Sequence, residues 1–338
     1  MPPNWTMPAE SDPHARTYLA WPAHTSIHGR YLGEVRDAVA RIVCAVAEHE
    51  PVTLLARPEQ AAEAARAVGG AAEVLPVPVD DLWVRDHGPV FVTRSGEVAG
   101  VDFGFNGWGG KQDPHGDDHL AARRLLAQLG LPRHAAGIVA EGGSLEVDGE
   151  GTLLATESSL LNDNRNRGLD RAAVEAELGA RLGVEKVVWL AGVRGADVTD
   201  CHVDALARFA APGVVFVNEP APGSSADVWA GVAAQAREAL AEAVDARGRR
   251  LVVVPLPEPD LGLIRGHGEF VASYLNYYVA NGAVFAPQFG DRRADDRARG
   301  LLAEHHPDRV VVQLDIDPIA YSGGGIHCAT QQRPGVAA

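Results

Sequence analysis

The sequence predicts an α/β fold made of about five repeats of hairpin, helix and strand, stacked or arranged radially in one domain over residues 1–338. Three observations lead there. Short β-rich runs alternate with helical ones along the whole length. The alternation returns about every 50–60 residues, as a repeat of supersecondary structure and not of sequence. No Ser/Gly/Pro-rich stretch is long enough to separate two domains.

Taken in order, "VARIVCAVAEHE" is apolar-periodic and predicts a helix with Cys44 in its core face. "PVTLLAR" reads as a strand, "EQAAEAARAVG" as a helix and "AEVLPVPV" as a strand. "GPVFVTRSGEVAGVDFGF" predicts a hairpin turning at Ser95-Gly96, and "DDHLAARRLLAQLG" a helix ended by Gly130. A second hairpin turns at Asp148-Gly149, followed by the helix "LDRAAVEAELGARLGV" and the buried strand "VEKVVWLAG". The same rhythm runs through "HVDALARFAAPGVVFVNE", the helix "DVWAGVAAQAREALAEAVDARG" and "RLVVVPLPEP". "SYLNYYVANGAVFAPQFG" is a hairpin turning at Asn281-Gly282, and the helix "DDRARGLLAEHH" and strand "DRVVVQLDI" complete the series.

Apolar content of 46% and charged content of 22% are ordinary for a globular protein. No apolar run approaches the roughly 18–20 residues of a membrane span, so no membrane partner is expected. The first residues lack a basic stretch followed by an apolar one, so no signal peptide is expected and the cytoplasm is the expected location. The net charge of −15 repels phosphate backbones, which argues against nucleic acid, and it is compatible with a cationic small substrate. Cys44, Cys201 and Cys328 are too few and too far apart for a disulfide framework. Two of them adjoin histidines, in "DCHVD" and "GIHCAT".

Four places offer chemistry. In "DLWVRDHGPVFV", Asp86 stands beside Trp83 just before an apolar strand, a plausible cation-recognition pair where solvated loop charges are the commoner occupants. In "IVAEGGSLEVDG", Glu141 ends an apolar strand with two glycines behind it, as a strand cap or as a functional carboxylate. In "TDCHVDALARF", His202 and Asp204 are two apart, which on a strand puts both on one face; an edge pair or two metal ligands fit as well. In "SGGGIHCATQQ", Cys328 follows a glycine run whose backbone, Gly325 included, lets a ligand approach closely; a buried inert thiol is the alternative. Jointly these are a thiol, an imidazole and three carboxylates, each at an expected strand end. Paired carboxylates grip a planar cation, a thiol attacks its carbon and histidine moves protons; guanidinium is the natural cation.

These motifs lie in seven ordered blocks across nearly the whole chain, among them "MPAESDPHARTYLAWP", "DFGFNGWGGKQDP", "EGGSLEVDGEGTLLATESSLLNDNRN" and "GGGIHCATQQRP". In them the chain resembles the agmatine deiminase family of the guanidino-group-modifying pentein superfamily. The resemblance implies a pentein-type α/β propeller of five ββαβ units around a central active site. It implies Cys328 as nucleophile, His202 as general acid and base, and Asp86 and Asp204 as carboxylates on the guanidinium nitrogens. Glu141 then supports the histidine and the substrate. Trp21, Trp83 and Trp108 match aromatic positions and are expected to line the substrate pocket, with a carboxylate such as Asp200 at its rim; core packing also explains each tryptophan. The implied reaction is hydrolysis of agmatine to N-carbamoylputrescine and ammonia, in polyamine synthesis. It uses neither metal nor organic cofactor, in a protein that forms a homodimer or larger homo-oligomer.

The chain departs from the family pattern at Cys201, where glycine is usual, and at Ala205, where asparagine is usual. An asparagine is also absent before Ile326, where Gly325 stands. These changes flank the pocket, so another guanidino substrate is the alternative, including peptidyl-arginine, and an amidinotransferase lies further off. Cys201 is either a packing residue or a second reactive thiol. From other classes come a metal hydrolase using His202, Asp204, His327 and Cys328 as ligands, and a silent binding protein, which would have no need of the thiol.

Overall fold

The structure, a computed structural model, describes residues 5–221, 227–264 and 270–335. The repeat seen in the sequence is present as five small sheets. Strand β1 (His14–Ala20) leads through the helix Leu32–Ala47 to β2 (Val52–Ala56), and then through the helix Ala61–Ala67 to β3 (Glu73–Pro76). The next unit is the hairpin β4 (Val90–Arg94) and β5 (Glu97–Asp102), the helix Ala121–Leu129 and β6 (Arg133–Ala135). It is followed by β7 (Glu146–Val147), β8 (Thr152–Thr156), the helix Arg171–Leu182 and β9 (Lys186–Leu190). Then come β10 (Ala207–Ala211), β11 (Val214–Glu219), the helix Val228–Glu242 and β12 (Val252–Pro257). The fourth hairpin unit holds β13 (Tyr278–Ala280), β14 (Ala283–Gln288), the helix Arg292–His305 and β15 (Val310–Asp315).

In each of these four hairpin units the first two strands pair antiparallel and the last pairs parallel to the second. A helical crossover is what a parallel pair requires. The last strand, β16 (Gln331–Pro334), pairs antiparallel with β1, which pairs parallel with β2. The fifth unit is therefore the same motif, divided between the two ends of the chain and extended by β3.

Local chemistry explains the boundaries. Ser95 and Gly96 have φ of 48° and 84°, the left-handed pair that a two-residue hairpin turn demands. Gly130 and Gly183 end their helices in the left-handed conformation. The side chains of Asp170, Asp227 and Asp291 accept backbone N–H groups at the starts of three helices. One expectation fails on the first long helix. Its buried stripe is Val35, Ala38, Val39, Ile42, Val43 and Val46, and Cys44 lies off that stripe and is exposed. At about 100° per residue, apolar neighbours on both sides do not put a residue on the same face. β9 is also less buried than expected: Val188 and Leu190 are buried, while Val187 and Trp189 are only half covered.

The units are tied together at the middle by charge. The Glu10 carboxylate accepts from Arg85 Nη2 and Arg208 Nη2, each at 2.9 Å, and from the backbone N–H of Val279 at 2.9 Å. His327 Nε2 lies 2.9 Å from it. Arg208 is fully buried and also reaches Glu146 Oε2 at 3.2 Å and the carbonyl of Tyr277. These partners precede or lie on β4, β7, β10, β13 and β16, so all five units meet on one buried network. Burial alone would raise the Glu10 pKa, but Arg208, His327 and Arg85 hold it well below the usual carboxylate range. Glu10→Ala leaves the Arg85 and Arg208 guanidinium groups buried around an empty place and is expected to cost about 3–5 kcal/mol, read as a lower denaturant midpoint. An unchanged midpoint would remove Glu10 from the centre of the assembly.

Candidate active site

The loop entering the first strand of each unit carries a polar group inward. Asp86 lies on the one-turn helix Val84–His87 ahead of β4. Glu141 immediately precedes the 3-10 turn Gly142–Ser144 ahead of β7. His202 caps the 3-10 turn Val203–Ala205, which contains Asp204, ahead of β10. Asn276 stands two residues before β13, and Cys328 three before β16. Two local expectations are corrected here. His202 and Asp204 are not on a strand, and Glu141 does not end one; each sits on or before a tight turn. An i, i+2 spacing is shared by strands and short turns, so it does not fix the conformation.

The turns bring the groups together. A Cβ placed on Gly143 would lie 2.8 Å from Asp86 Oδ1, 2.8 Å from His202 Nδ1 and 3.0 Å from Asp204 Oδ2. Only glycine lets these three converge. His202 Nε2 is 3.2 Å from Glu141 Oε2, and its Nδ1 is 3.7 Å from Asp86 Oδ2. The Cys328 thiol donates to Asp204 Oδ2 at 3.4 Å and accepts from Asn276 Nδ2 at 3.1 Å. Asn276 Oδ1 in turn accepts the Cys328 backbone N–H at 3.1 Å, and its Nδ2 also faces Asp204 at 3.3 Å. His327 Nδ1 lies 2.8 Å from Asp204, so the imidazole joins the site to Glu10.

The glycine run is explained by the same crowding. A Cβ on Gly324 would sit 2.3 Å from Trp83 Cζ3 and 3.2 Å from the Cys328 Cβ. One on Gly325 would meet Asn276 Oδ1 at 2.6 Å. Trp83 therefore lies against the loop that carries the thiol. Trp108, held at φ 52°, donates Nε1–H to Asp86 Oδ2 at 2.9 Å, while Gly143 N–H donates to Oδ1 at 2.9 Å. Trp21 is buried in the same apolar core as these two, with the Arg36 guanidinium over its ring. Asp200 does not stand free at a rim. Lys111 and Arg165 occupy its oxygens at 2.7 and 2.8 Å, and after the opposing effect of burial these and other donors bring its pKa down to about 2. Asn164 Nδ2 and the Gly195 N–H also donate to it, at 3.1 and 2.8 Å, so its acceptor sites are taken and none is left for a distant amine.

Burial is the largest influence on the Cys328 thiol and raises its pKa well above the ordinary value; Asp204 and Asp86 push the same way. Burial would lower His202, but Asp86 and Glu141 prevail and bring it up to about 9. Asp86 is raised by burial and by the nearby Asp204 and Glu141 charges, against the pull of His202. Burial also opposes ionisation of Glu141 and Asp204, yet Arg165 and His202 lower the first, and His327 lowers the second. These directions keep the Cys328 thiol protonated and His202 an imidazolium at neutral pH, with the Glu141 and Asp204 carboxylates ionised close by, where a cation can be received.

Cys201 is buried in an apolar cluster with Leu154, Leu190 and Val203. Burial, with Asp197, pushes its thiol up to about 12, which fits the packing reading and not a second reactive thiol. Its φ of 69° is left-handed, where glycine is at ease. Two residues of the site were missed. Asn276 sits in the apolar-looking "SYLNYY", and a neutral amide in a strand-like run gives no charge signal. Arg165 lies in the polar run "NDNRNRG", where nothing marks it out; its Nε donates to both Glu141 oxygens at 2.8 and 3.0 Å, and its side chain is fully buried. Among the described residues no group of three or more His, Cys, Asp and Glu is arranged to hold a metal ion, so His202, Asp204, His327 and Cys328 do not form a ligand set. No helix of the described residues is long and apolar enough to cross a membrane.

Comparison with known proteins agrees with this geometry. Residues 6–334 match the family model of the Porphyromonas-type peptidyl-arginine deiminases. The agmatine deiminase of Medicago truncatula is 35% identical, over 98% of this chain and 96% of its own. That of Stutzerimonas stutzeri is 37% identical, over 97% and 95% respectively. Among solved structures, the agmatine deiminase of Enterococcus faecalis superposes with a TM-score of 0.89 at 32% identity, covering 98% of this chain and 96% of that one. The five ββαβ units are thus the pentein-type arrangement that the resemblance implied. The chain belongs to the Porphyromonas-type peptidyl-arginine deiminase family.

Proposed function

We propose that this chain hydrolyses agmatine to N-carbamoylputrescine and ammonia, acting as one catalytic domain in the cytoplasm and feeding polyamine synthesis. The observation that carries the reading is the convergence of Asp86, His202 and Asp204 on Gly143, with the Cys328 thiol 3.4 Å from Asp204. The names and full-length coverage of the relatives support agmatine as the guanidine.

In this reading Asp86 and Asp204 bind the guanidinium nitrogens by charge-assisted hydrogen bonds. The arriving cation lowers the cost of a thiolate beside two carboxylates, so Cys328 releases its proton to solvent only once substrate is bound. The sulfur attacks the guanidinium carbon to give a neutral tetrahedral adduct. Protonated His202 gives its proton to one amino group, which leaves as ammonia, and an S-alkylthiouronium cation remains. His202, now neutral, takes a proton from water, and the hydroxide adds to the same carbon. Collapse expels the Cys328 thiolate and forms the ureido carbonyl as the hydroxyl proton departs. Glu141 and Arg165 hold the imidazole in place through both steps. Asn276 positions the sulfur from two sides.

Cys328→Ala is expected to lower ammonia release from agmatine by at least about 10³-fold while agmatine still binds. In the wild type, agmatine should be turned over far faster than arginine, a blocked arginyl peptide or simple guanidines. Ammonia from one of those and not from agmatine moves the substrate and leaves the chemistry in place.

His202 must be protonated for ammonia to leave, so kcat/KM should fall as pH rises through about 9. Arg165→Met removes the cation that keeps Glu141 ionised, which weakens the pull of Glu141 on the His202 proton. The alkaline limb is then expected to move below 9, toward neutral pH. Glu141→Gln gives the same direction should Arg165→Met not fold. A limb that stays in place in both would separate Glu141 from the histidine.

Gly324→Ala drives a methyl into the Trp83 ring, and the loop must shift to relieve it. We expect kcat to drop by about 10²-fold, the cost of a displacement near 1 Å. Full activity in this variant would detach the glycine run from the thiol's placement.

A further inference from the structure

A cavity of about 430 Å³ lies beside the Glu141 loop. Its walls come from the ends of β5 and β6, from the start of the helix Ala121–Leu129 and from the loop after Asn166. Its charge runs against that of the whole chain, whose formal balance is −15. Four arginines line it, Arg123, Arg133, Arg165 and Arg167, and a single carboxylate, Asp102. Arg165 is spent on Glu141 and Asp200, and Arg133 donates to Asp102 at 2.7 Å. Arg123 and Arg167 have no acidic partner among the described residues.

We propose that this cavity binds a small multivalent oxyanion, a phosphate-type or polycarboxylate group held by Arg123 and Arg167 with Arg133 beside them. A guanidinium fork fits two oxygens of either group. Two cations left unpaired in an acidic protein, facing one cavity, are a local field that the distant surplus of carboxylates does not cancel. At physiological salt that surplus is screened beyond about 8 Å. The volume lies within the roughly 300–1,000 Å³ of small-molecule sites. Arg123 and Arg167 are exposed, and neither side chain makes a hydrogen bond or ion pair among the described residues. Arg165 is a wall shared with the Glu141 side of the active site, while Arg123 and Arg167 take no part there, and the assignment stands whether or not agmatine is the substrate.

The test is calorimetric titration of the full chain with sodium pyrophosphate and, separately, with citrate, at constant ionic strength. Wild type and an Arg123→Ala/Arg167→Ala double variant are compared. Saturable binding of one probe, weakened at least about tenfold in the variant and by added salt, is the expected result. The tighter probe identifies phosphate or carboxylate as the headgroup. Both side chains are exposed, so the variant should keep its unfolding midpoint and its ammonia release from agmatine. If neither probe saturates, or if wild type and variant bind equally, the site is not there.

Discussion

Everything at the centre of this molecule depends on the buried Glu10 carboxylate and the cations around it. Five hairpin units arranged about a common middle bring five sets of strand entries to one place, and each entry carries polar groups. Such groups cannot be left unpaired, because a buried charge without a partner costs several kcal/mol. Glu10 meets Arg85, Arg208 and His327, and Arg208 passes the connection to Glu146. A pairing of this kind adds little net stability over an apolar filling of the same shape. What it adds is register. Each unit has one position in which the charge or backbone group it brings is satisfied, and the site inherits that precision.

The inheritance runs through His327. One ring nitrogen faces Glu10 and the other faces Asp204, and Asp204 in turn is in reach of the Cys328 thiol and Asn276. A second chain of contacts holds the other side: Lys111 and Arg165 on Asp200, Arg165 on Glu141, Glu141 on His202. One chain fixes the nucleophile and the other the acid, and they meet over Gly143 and on the single turn that carries both His202 and Asp204. The electrostatic outcome is asymmetric. Carboxylates raise the imidazole toward its charged form and discourage the thiolate. A guanidinium reverses the second effect without removing the first, because it brings positive charge to the sulfur while His202 keeps its proton. Substrate cation and reactive thiolate are then coupled by electrostatics alone.

The hairpins and helices were legible because their signals are local. Ser95-Gly96 and the capping aspartates need no knowledge of the rest of the chain. Cys328, His202, Glu141, Asp86 and Asp204 were legible for another reason: charged or nucleophilic residues beside apolar strand runs stand out against their surroundings. Asn276 and Arg165 were not, since an amide among tyrosines and an arginine in a polar loop look ordinary until the fold places them on the sulfur and on Glu141. Asp200 misled in the opposite sense. Its charge was visible and the two cations that consume it were not, because Lys111 lies in a distant loop. Cys44 misled through averaging: an apolar helix still has an outer face. The family's glycine at the place of Cys201 becomes intelligible only with the backbone in view, at a φ of 69°.

The place of the nucleophile near the end of the sequence follows from closure of the ring. β16 is the first strand of the unit that β1 and β2 complete, so the loop that enters it belongs with the four other loops that supply Asp86, Glu141, His202 and Asn276. The thiol is not appended to a finished domain. It arrives with the strand that joins the last sheet to the first, and its neighbours come from units far away in sequence: Asp204 and Asn276 on one side, Trp83 on the other. Two glycines with no room for a side chain, against Trp83 and Asn276, then decide where the sulfur comes to rest. The strand closes the ring, and the same step completes the chemistry.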